Sequence, residues 1–425
     1  MLRKSADFMN NSGHVSYSRV EEVCDMPTVK IKPDVYWIGV NDRTTDLFEG
    51  IWPITKEGVS YNSYLINDEK KAIIDLMKSF KGDEYLAQID EVTDISKIEY
   101  VVINHMEPDH SGLIRTVKRI APRVTFIGSA KTKEMLESFF SIKENVRVVS
   151  DGDTLSLGKR TLKFFSTPFV HWPETMMTYE TSHRILFSCD GFGGYGAIQG
   201  SIFNDECKNF DFYKKEALRY YVNIVANFSA RVLSAIEKLA DLPVDVIAPS
   251  HGLIWRKNPS FIVDLYKKWA ECATGKTEPA ITLVYGSMYG YTEMMMNAVA
   301  QGISQTDVPH EIFDAARTHV SYILPSLWSK RGVMIGAPTY EVSLFPPVAE
   351  VLNTAAHKHI KNKTAAYFGS FGWSGGARRN LEKIIEPLKW DLVDTFEFRG
   401  CPKEEELKKG EEFGRKFAEL IEKER

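Results

Sequence analysis

The feature that most constrains this chain is the hexapeptide His105-Met106-Glu107-Pro108-Asp109-His110, where metal-binding side chains stand at alternating and adjacent positions. It follows the apolar run Tyr100-Val101-Val102-Ile103, which reads as a buried strand. Ser111-Gly112 then leads into Leu113, Ile114, Val117 and Ile120, a stripe at helical spacing. In an extended strand-to-helix turn, His105, Glu107 and Asp109 share one side by period-two alternation, and His110 points to a neighbouring centre. One short loop is therefore expected to serve two metals.

With 425 residues the chain exceeds one ordinary core and divides most simply into two domains. A net charge of -4, with no long run of like charge in either half, gives no basic surface for nucleic acid. The first residues, Met1-Leu2-Arg3-Lys4-Ser5-Ala6-Asp7, lack the apolar centre of a secretory signal, and no uninterrupted apolar stretch reaches membrane length. No membrane association is expected, and the expected compartment is the cytoplasm. Cys24, Cys189, Cys207, Cys272 and Cys401 are far apart and form no C-x-x-C pair, which excludes a disulfide framework and a thiolate knuckle. Cys189 adjoins Asp190, but adjacent side chains of a strand face opposite ways, so the thiol is left out of the metal sphere.

Segments such as Val35-Tyr36-Trp37-Ile38-Gly39-Val40 and Tyr64-Leu65-Ile66 predict a β-rich beginning with later helices, the pattern of an α/β sandwich. From Ile281 the pattern changes. Ile281-Thr282-Leu283-Val284-Tyr285, Val333-Met334-Ile335-Gly336 and Ala365-Ala366-Tyr367-Phe368-Gly369 read as strands, with a helix over Glu293 to Ile303 between the first two. Strands alternating with helices imply a doubly wound parallel sheet. The polar segment Ala273-Thr274-Gly275-Lys276-Thr277-Glu278-Pro279 marks the join. The expected organisation is an N-terminal extension over 1–29, a first domain over 30–276 and a second over 277–425. The charged stretch Lys403 to Lys409 reads as a solvated helix start.

Other strand ends of the first half also offer ligands. Leu162-Lys163-Phe164-Phe165 leads to His171, Arg184-Ile185-Leu186-Phe187 to Asp190, and Val244-Asp245-Val246-Ile247 to His251. The candidate set is His105, His110, His171 and His251 with Glu107, Asp109 and Asp190. Three carboxylates and a bridging hydroxide offset the charge of two divalent cations, and a neutral site can be buried. Mixed imidazole and carboxylate donors suit zinc, manganese or non-haem iron rather than copper(I) or an iron–sulfur cluster.

The pattern H-x-E-x-D-H followed by His, Asp and His resembles the metallo-β-lactamase-like domain of flavodiiron proteins, flavin-dependent oxygen and nitric oxide reductases. Hydrolytic zinc members of the wider superfamily typically carry His where this chain has Glu107, and a carboxylate there is the harder donor. The resemblance implies an αββα sandwich in which His105, Glu107 and His171 hold one iron, Asp109, His110 and His251 hold the other, and Asp190 bridges. His14, His183, His310, His319, His357 and His359 fit no pattern and receive no role.

Three loops of the second half follow expected strands. Ser287-Met288-Tyr289-Gly290-Tyr291-Thr292 opens a helix, so its hydroxyls, glycine and helix N-terminal amides suit a phosphate monoester without a cationic side chain. The second half holds neither a G-x-G-x-x-G nor a Walker sequence, which argues against dinucleotides and nucleoside triphosphates there. With Gly336-Ala337-Pro338-Thr339-Tyr340 and Gly369-Ser370-Phe371-Gly372-Trp373-Ser374-Gly375-Gly376-Ala377, it resembles flavodoxin. In that fold FMN binds at the carboxyl ends of the strands. Pro338, Thr339, Tyr340, Ser370, Phe371, Gly372, Trp373, Gly375 and Gly376 would flank the ring, with Tyr340 or Trp373 as candidate stacking partners.

The combined resemblance implies an FMN- and diiron-dependent enzyme that reduces dioxygen to water, nitric oxide to nitrous oxide, or both. It further implies a head-to-tail homodimer, or a dimer of such dimers, in which the flavin of one subunit faces the metals of the other. No fused rubredoxin is expected after the flavodoxin-like part. The donor is then an external rubredoxin, a reduced flavoprotein or a deazaflavin. Tyr179 and Tyr195 lie near ligands in sequence and read as core side chains. The rival readings are a zinc-dependent hydrolase with an accessory flavin domain and an electron-transfer module with an inactive metal site.

Overall fold

The computed structural model describes residues 27–423. Of the expected extension 1–29, residues 1–26 lie outside the described residues, and Val29 already opens the first strand.

Two large sheets, beside two small two-stranded ones, form the first domain. One has seven strands in the order Val29–Lys32, Val35–Trp37, Tyr64–Ile66, Lys71–Ile74, Ile98–Val102, Thr125–Gly128 and Val146–Val148. It is antiparallel at first and parallel from Lys71–Ile74 onward. The other runs Thr154–Ser156, Thr161–Ser166, Met176–Glu180, Ile185–Cys189 and Val246–Pro249, with only the last pair parallel. Ile73, Val101 and Phe126 of the first sheet share one apolar core with Leu162, Phe187 and Ile247 of the second. Tyr64 joins the layers: its ring lies 5.0 Å from that of Phe187, and its hydroxyl donates to the Pro249 carbonyl at 2.6 Å. Every residue of Ile185–Cys189 is buried, so this strand has no polar face and is all apolar until it reaches Ser188 and the Asp190 turn. With helices outside the sheets, the layering is the expected αββα sandwich.

The second domain carries one sheet in the order His310–Asp314, Glu278–Tyr285, Lys330–Gly336, Thr364–Phe371, Asp391–Arg399, with every neighbour parallel. Counted from the start of the domain, the order is second, first, third, fourth, fifth, the doubly wound arrangement with its switch point between the first and third strands. Residue 277, the expected boundary, directly precedes the first of these strands. The third expected strand runs past Gly369 to Phe371, because Gly369, Ser370 and Phe371 pair with Glu397, Phe398 and Arg399. The charged stretch after Lys403 opens the helix Glu404–Lys423.

The domains share a core. Trp328 of the helix Val320–Ser329 donates its indole N–H to the Trp269 carbonyl at 2.8 Å, and its ring lies 6.4 Å from that of Tyr221. Arg219 reaches across as well, donating to the Pro53 carbonyl at 2.8 Å and the Ser321 hydroxyl at 3.0 Å. Among the described residues no helix is long and apolar enough to cross a membrane.

Candidate metal centre and flavin cleft

The hexapeptide is less extended than its alternation predicts. Pro108–Ser111 forms a helical turn with Pro108 at its start, where the missing N–H costs nothing. That turn swings Asp109 away from His105 and Glu107 and onto the side of His110. Several contacts lock it. Ser111 donates its hydroxyl to the Met106 and Glu107 carbonyls at 2.8 and 3.0 Å, and Leu76 N–H donates to the His110 carbonyl at 2.9 Å. Asp75 accepts from the Asn104 backbone and side-chain amides at 2.7 and 2.9 Å, which fixes the residue before His105. Burial pushes the Asp75 carboxyl up to about 6.

Seven side chains from four strand ends meet here, in two groups. His105, Glu107, His171 and Asp190 form one, and Asp109, His110 and His251 the other. Asp190 stands between them. Its Oδ2 lies 3.3 Å from Nε2 of both His105 and His171, while Oδ1 lies 3.0 Å from His110 Nε2 and 3.4 Å from His251 Nε2. Glu107 Oε2 is 3.2 Å from His105 Nε2 and 3.1 Å from His171 Nε2, and Asp109 Oδ2 is 3.4 and 3.3 Å from the His110 and His251 nitrogens.

These separations fit cations. Donors about 2.1 Å from one cation stand about 3.0 Å apart along an octahedral edge and about 3.4 Å along a tetrahedral one. Both carboxylate oxygens of Asp109 and Asp190, and Nε2 of His110 and His251, are buried without a hydrogen-bond partner despite their closeness. Groups that near each other but not aligned with each other are aimed at a common point.

The electrostatics agree. Burial works against charge on His171 and His251, yet the facing carboxylates raise them to about 9 and about 10. Asp190 is held well below the usual carboxylate range, against its burial, by His110, His171 and His251. The donor set calls for positive charge, supplied by protons or by metal ions in their place.

Two partners outside the predicted set orient the ligands. Glu174 Oε1 is 2.6 Å from His105 Nδ1 and also accepts from the Met106 N–H at 2.9 Å. His251 Nδ1 is 2.8 Å from the Ser60 carbonyl, which fixes that nitrogen as the protonated one and leaves Nε2 as donor to a metal. Glu174 was legible only as a carboxylate three residues after His171. Ser60 acts through its backbone and left no sequence signal. Cys189 is a further difference, since its sulfur lies within 4.8 Å of His110 and Asp190 donor atoms. Its φ of +51 breaks the strand alternation that placed it elsewhere. Burial pushes its thiol well up, so it is a neutral neighbour. Tyr179 and Tyr195 are both buried. The Tyr179 hydroxyl donates to the Pro243 carbonyl at 2.6 Å, and Tyr195 packs on Phe48 and Tyr220.

In the second domain the three loops sit together at the carboxyl end of the sheet. Gly290, at φ +88, turns Ser287–Gly290 into the helix Tyr291–Ile303, and its N–H donates to the Ser287 hydroxyl at 3.1 Å. Thr292 and Ser370 are joined through their hydroxyls at 3.0 Å, and the Ala377 N–H donates to Thr339 at 3.3 Å, so the third loop is tied to the first and second. A Cβ at Gly369 would meet the Ala337 carbonyl at 2.3 Å, which is why that position is bare. Pro338 is buried, whereas Tyr340, Tyr289 and Trp373 stand out at 40, 83 and 88 % exposure. Met288, Tyr291, Gly372 and Gly375 are also exposed, and Phe371 is half-buried. Hydroxyls and free helix amides at one end, with aromatic rings on either side, suit a phosphate-bearing planar ligand.

Fold and site together define a two-domain flavoprotein oxidoreductase with a paired metal-binding cluster. A family model described as ODP family beta lactamase matches residues 59–252, and one described as flavodoxin matches 283–414. The anaerobic nitric oxide reductase flavorubredoxin of Escherichia coli is 36 % identical over 397 residues, covering 92 % of this chain and 82 % of the relative. The flavodiiron protein of Giardia intestinalis superposes with a TM-score of 0.87 at 31 % identity, covering 94 % of this chain and 97 % of that one. Rubredoxin oxygen:oxidoreductase from Desulfovibrio gigas does so with a TM-score of 0.87 at 29 % identity, covering 93 and 99 %. The chain belongs to the flavodiiron proteins.

Proposed function

We propose that the chain reduces dioxygen to water, nitric oxide to nitrous oxide, or both, with electrons passing from an external donor through FMN to two non-haem irons. His105, Glu107 and His171 would hold one iron and Asp109, His110 and His251 the other, with Asp190 bridging. The observation that carries this reading is the Asp190 carboxylate, which turns one oxygen to each group of ligands. Ser287 to Thr292 would hold the FMN phosphate, with Pro338 to Tyr340 and Ser370 to Gly376 along the ring. When bound, iron and flavin supply reversible electron storage and open positions for a diatomic substrate.

The chain's own side chains set the rest. Glu174 holds the His105 ring at Nδ1, and the Ser60 carbonyl holds His251. Phe48, Tyr61 and Tyr220 surround His251 at 5.5, 5.6 and 5.5 Å between rings and keep water from that side. The open face is at Glu107 and Asp109, whose side chains keep 13 and 11 % exposure. Exposed Tyr289, Tyr340 and Trp373 at the flavin cleft are consistent with a head-to-tail homodimer, or a dimer of dimers, that brings this cleft to the partner's open face. Rubredoxin, a reduced flavoprotein or a deazaflavin would be the donor.

The test is metal and FMN quantitation on anaerobically purified protein, then stopped-flow mixing of the reduced form with each gas. Two irons and one FMN per chain, with rapid flavin reoxidation by at least one gas, are expected. Stoichiometric zinc, or a reduced flavin that neither gas oxidises, overturns the assignment.

A further inference from the structure

We propose that Trp172 is a positioning residue of the first metal position: its indole is the wall that keeps the His105 and His171 rings aimed at one ion. Without a ring there, that position releases its metal before the other does. The inference rests on the division of the ligands into two metal positions made above, and on neither the identity of the metal nor that of the gas.

The two positions are built differently. In each, one histidine is oriented at Nδ1, His105 by Glu174 at 2.6 Å and His251 by the Ser60 carbonyl at 2.8 Å. Packing holds the rest. Three rings from outside the ligand set, those of Phe48, Tyr61 and Tyr220, stand around His251. The first position has one. Among the described residues, Trp172 is the only ring outside the ligand set in contact with His105 or His171. It lies 5.0 Å from the His105 ring with 88° between planes, and 6.3 Å from the His171 ring with 77°. Both are edge-to-face arrangements, which aromatic pairs favour. His171 depends on this contact most. Its polar contacts run through Nε2, to Glu107 at 3.1 Å and Asp190 at 3.3 Å, and no described residue bonds its Nδ1. Its ring plane is therefore set by Trp172 and by His105, 5.1 Å away.

Trp172 is itself held rigidly. Its N–H donates to the Thr175 hydroxyl oxygen at 3.2 Å. Its carbonyl accepts from the Phe169 N–H at 2.7 Å, the Thr175 hydroxyl at 2.7 Å and the Thr175 N–H at 3.3 Å. The indole N–H has no hydrogen-bond partner among the described residues, so the half-buried side chain serves through its ring and not its polar edge. Five consecutive residues thus carry a ligand at His171, the wall at Trp172, the acceptor for His105 at Glu174 and the lock at Thr175, the last two buried. A ring tied to that segment fixes the angle between His105 and His171. Trp172 makes no ring contact with His110 or His251, so its removal loosens one position and leaves the other.

The test uses full-length, metal-loaded, FMN-containing wild type, W172F, W172Y, W172L and W172A. Each is challenged with graded chelator, and the metal left per chain is measured. Anomalous difference density at the metal absorption edge, in crystals of partly stripped protein, identifies the emptied position. In W172L and W172A, half of the metal is expected to leave at about tenfold less chelator than in wild type, the lower end for loss of a group that orients ligands. The emptied position should be that of His105, Glu107 and His171, with FMN content and circular dichroism unchanged. W172F and W172Y, which keep a ring, should follow wild type. Wild-type retention in W172L and W172A overturns the proposal. So does equal loss from both positions, which a general loosening of the fold would produce, or a W172F that behaves like W172A. Wild type that carries zinc, or whose reduced flavin neither gas oxidises, sinks the reductase reading alone, because the order of release followed at the zinc edge still decides the role of Trp172.

Discussion

Glu174 shows how much of a metal site depends on residues that never touch the metal. Its carboxylate holds the proton on His105 Nδ1 and anchors the Met106 amide, so it fixes both the ring and the loop that carries it. E174Q keeps the shape but weakens the acceptor, and it is expected to lower metal affinity about tenfold, with E174A nearer a hundredfold. Competition against a chromophoric chelator measures this, and an unchanged circular dichroism spectrum shows that the fold is intact. Lys363 makes a different demand. It is fully enclosed, donates to the Trp328 and Lys330 carbonyls at 2.9 and 2.6 Å, and is brought down to about 7 by burial. An ordinary lysine in the unfolded chain keeps its proton to about 10.4. Between these values the unfolded state binds more protons, so stability rises with pH through that window, and below it the cost of the buried charge is fully present. Urea midpoints from pH 6.5 to 10 should climb in wild type more steeply than in K363M; parallel slopes would remove Lys363 as the cause.

The elements that position the site were legible where burial writes a pattern. The strands ending at His105, His171, Asp190 and His251 are apolar runs with a ligand just beyond, and the first, third and fourth strands of the second domain are apolar runs as well. The edge strands His310–Asp314 and Asp391–Arg399 carry mostly exposed or half-buried residues, which gives them no apolar signature. The Pro108–Ser111 turn was misread as extended because four residues are too few for a helical period to show. The helix pair under the flavin loop was also hidden, since its determinant is a set of absent side chains. Tyr291–Ile303 and Glu404–Lys423 meet backbone to backbone. A Cβ at Gly302 would lie 1.8 Å from the Glu411 carbonyl oxygen, and one at Gly414 would lie 2.0 Å from that of Val299. G414A therefore has to push the helices apart, at about 1–3 kcal/mol, and the displaced helix carries the amides proposed to hold the FMN phosphate. A lower urea midpoint together with weaker FMN retention on gel filtration is expected, and a variant that loses neither places the contact elsewhere.

At the scale of the whole molecule, the two domains meet through polar groups that are too buried to be indifferent. The Arg219 guanidinium is sandwiched between the Tyr195 and Tyr322 rings, 4.6 and 4.4 Å from their centroids. It pairs with Glu216 at 2.7 Å and lies 3.5 Å from Glu57, which itself accepts from the Tyr322 hydroxyl at 3.1 Å. Its donors also reach Pro53, in the hairpin Leu47–Phe48/Trp52–Pro53 whose Phe48 packs on His251, and Ser321 at the start of a second-domain helix. No motif announced this tie, because its members come from four separated stretches of sequence and are individually ordinary. Removing the cation strands Glu216 as a buried carboxylate that burial already pushes upward. R219A should therefore cost about 3–5 kcal/mol, the range for breaking a buried pair from one side. Because the lost contacts lie between domains, the expected signature in calorimetry is a single wild-type transition separating into two, with FMN release following the lower one and metal release the upper. R219K tests whether charge alone suffices. A lysine cannot stack between two rings and fork to several acceptors, so it should restore little of the coupling. A single transition in both variants at the wild-type temperature would show that the shared apolar core around Trp269 and Trp328 couples the domains unaided.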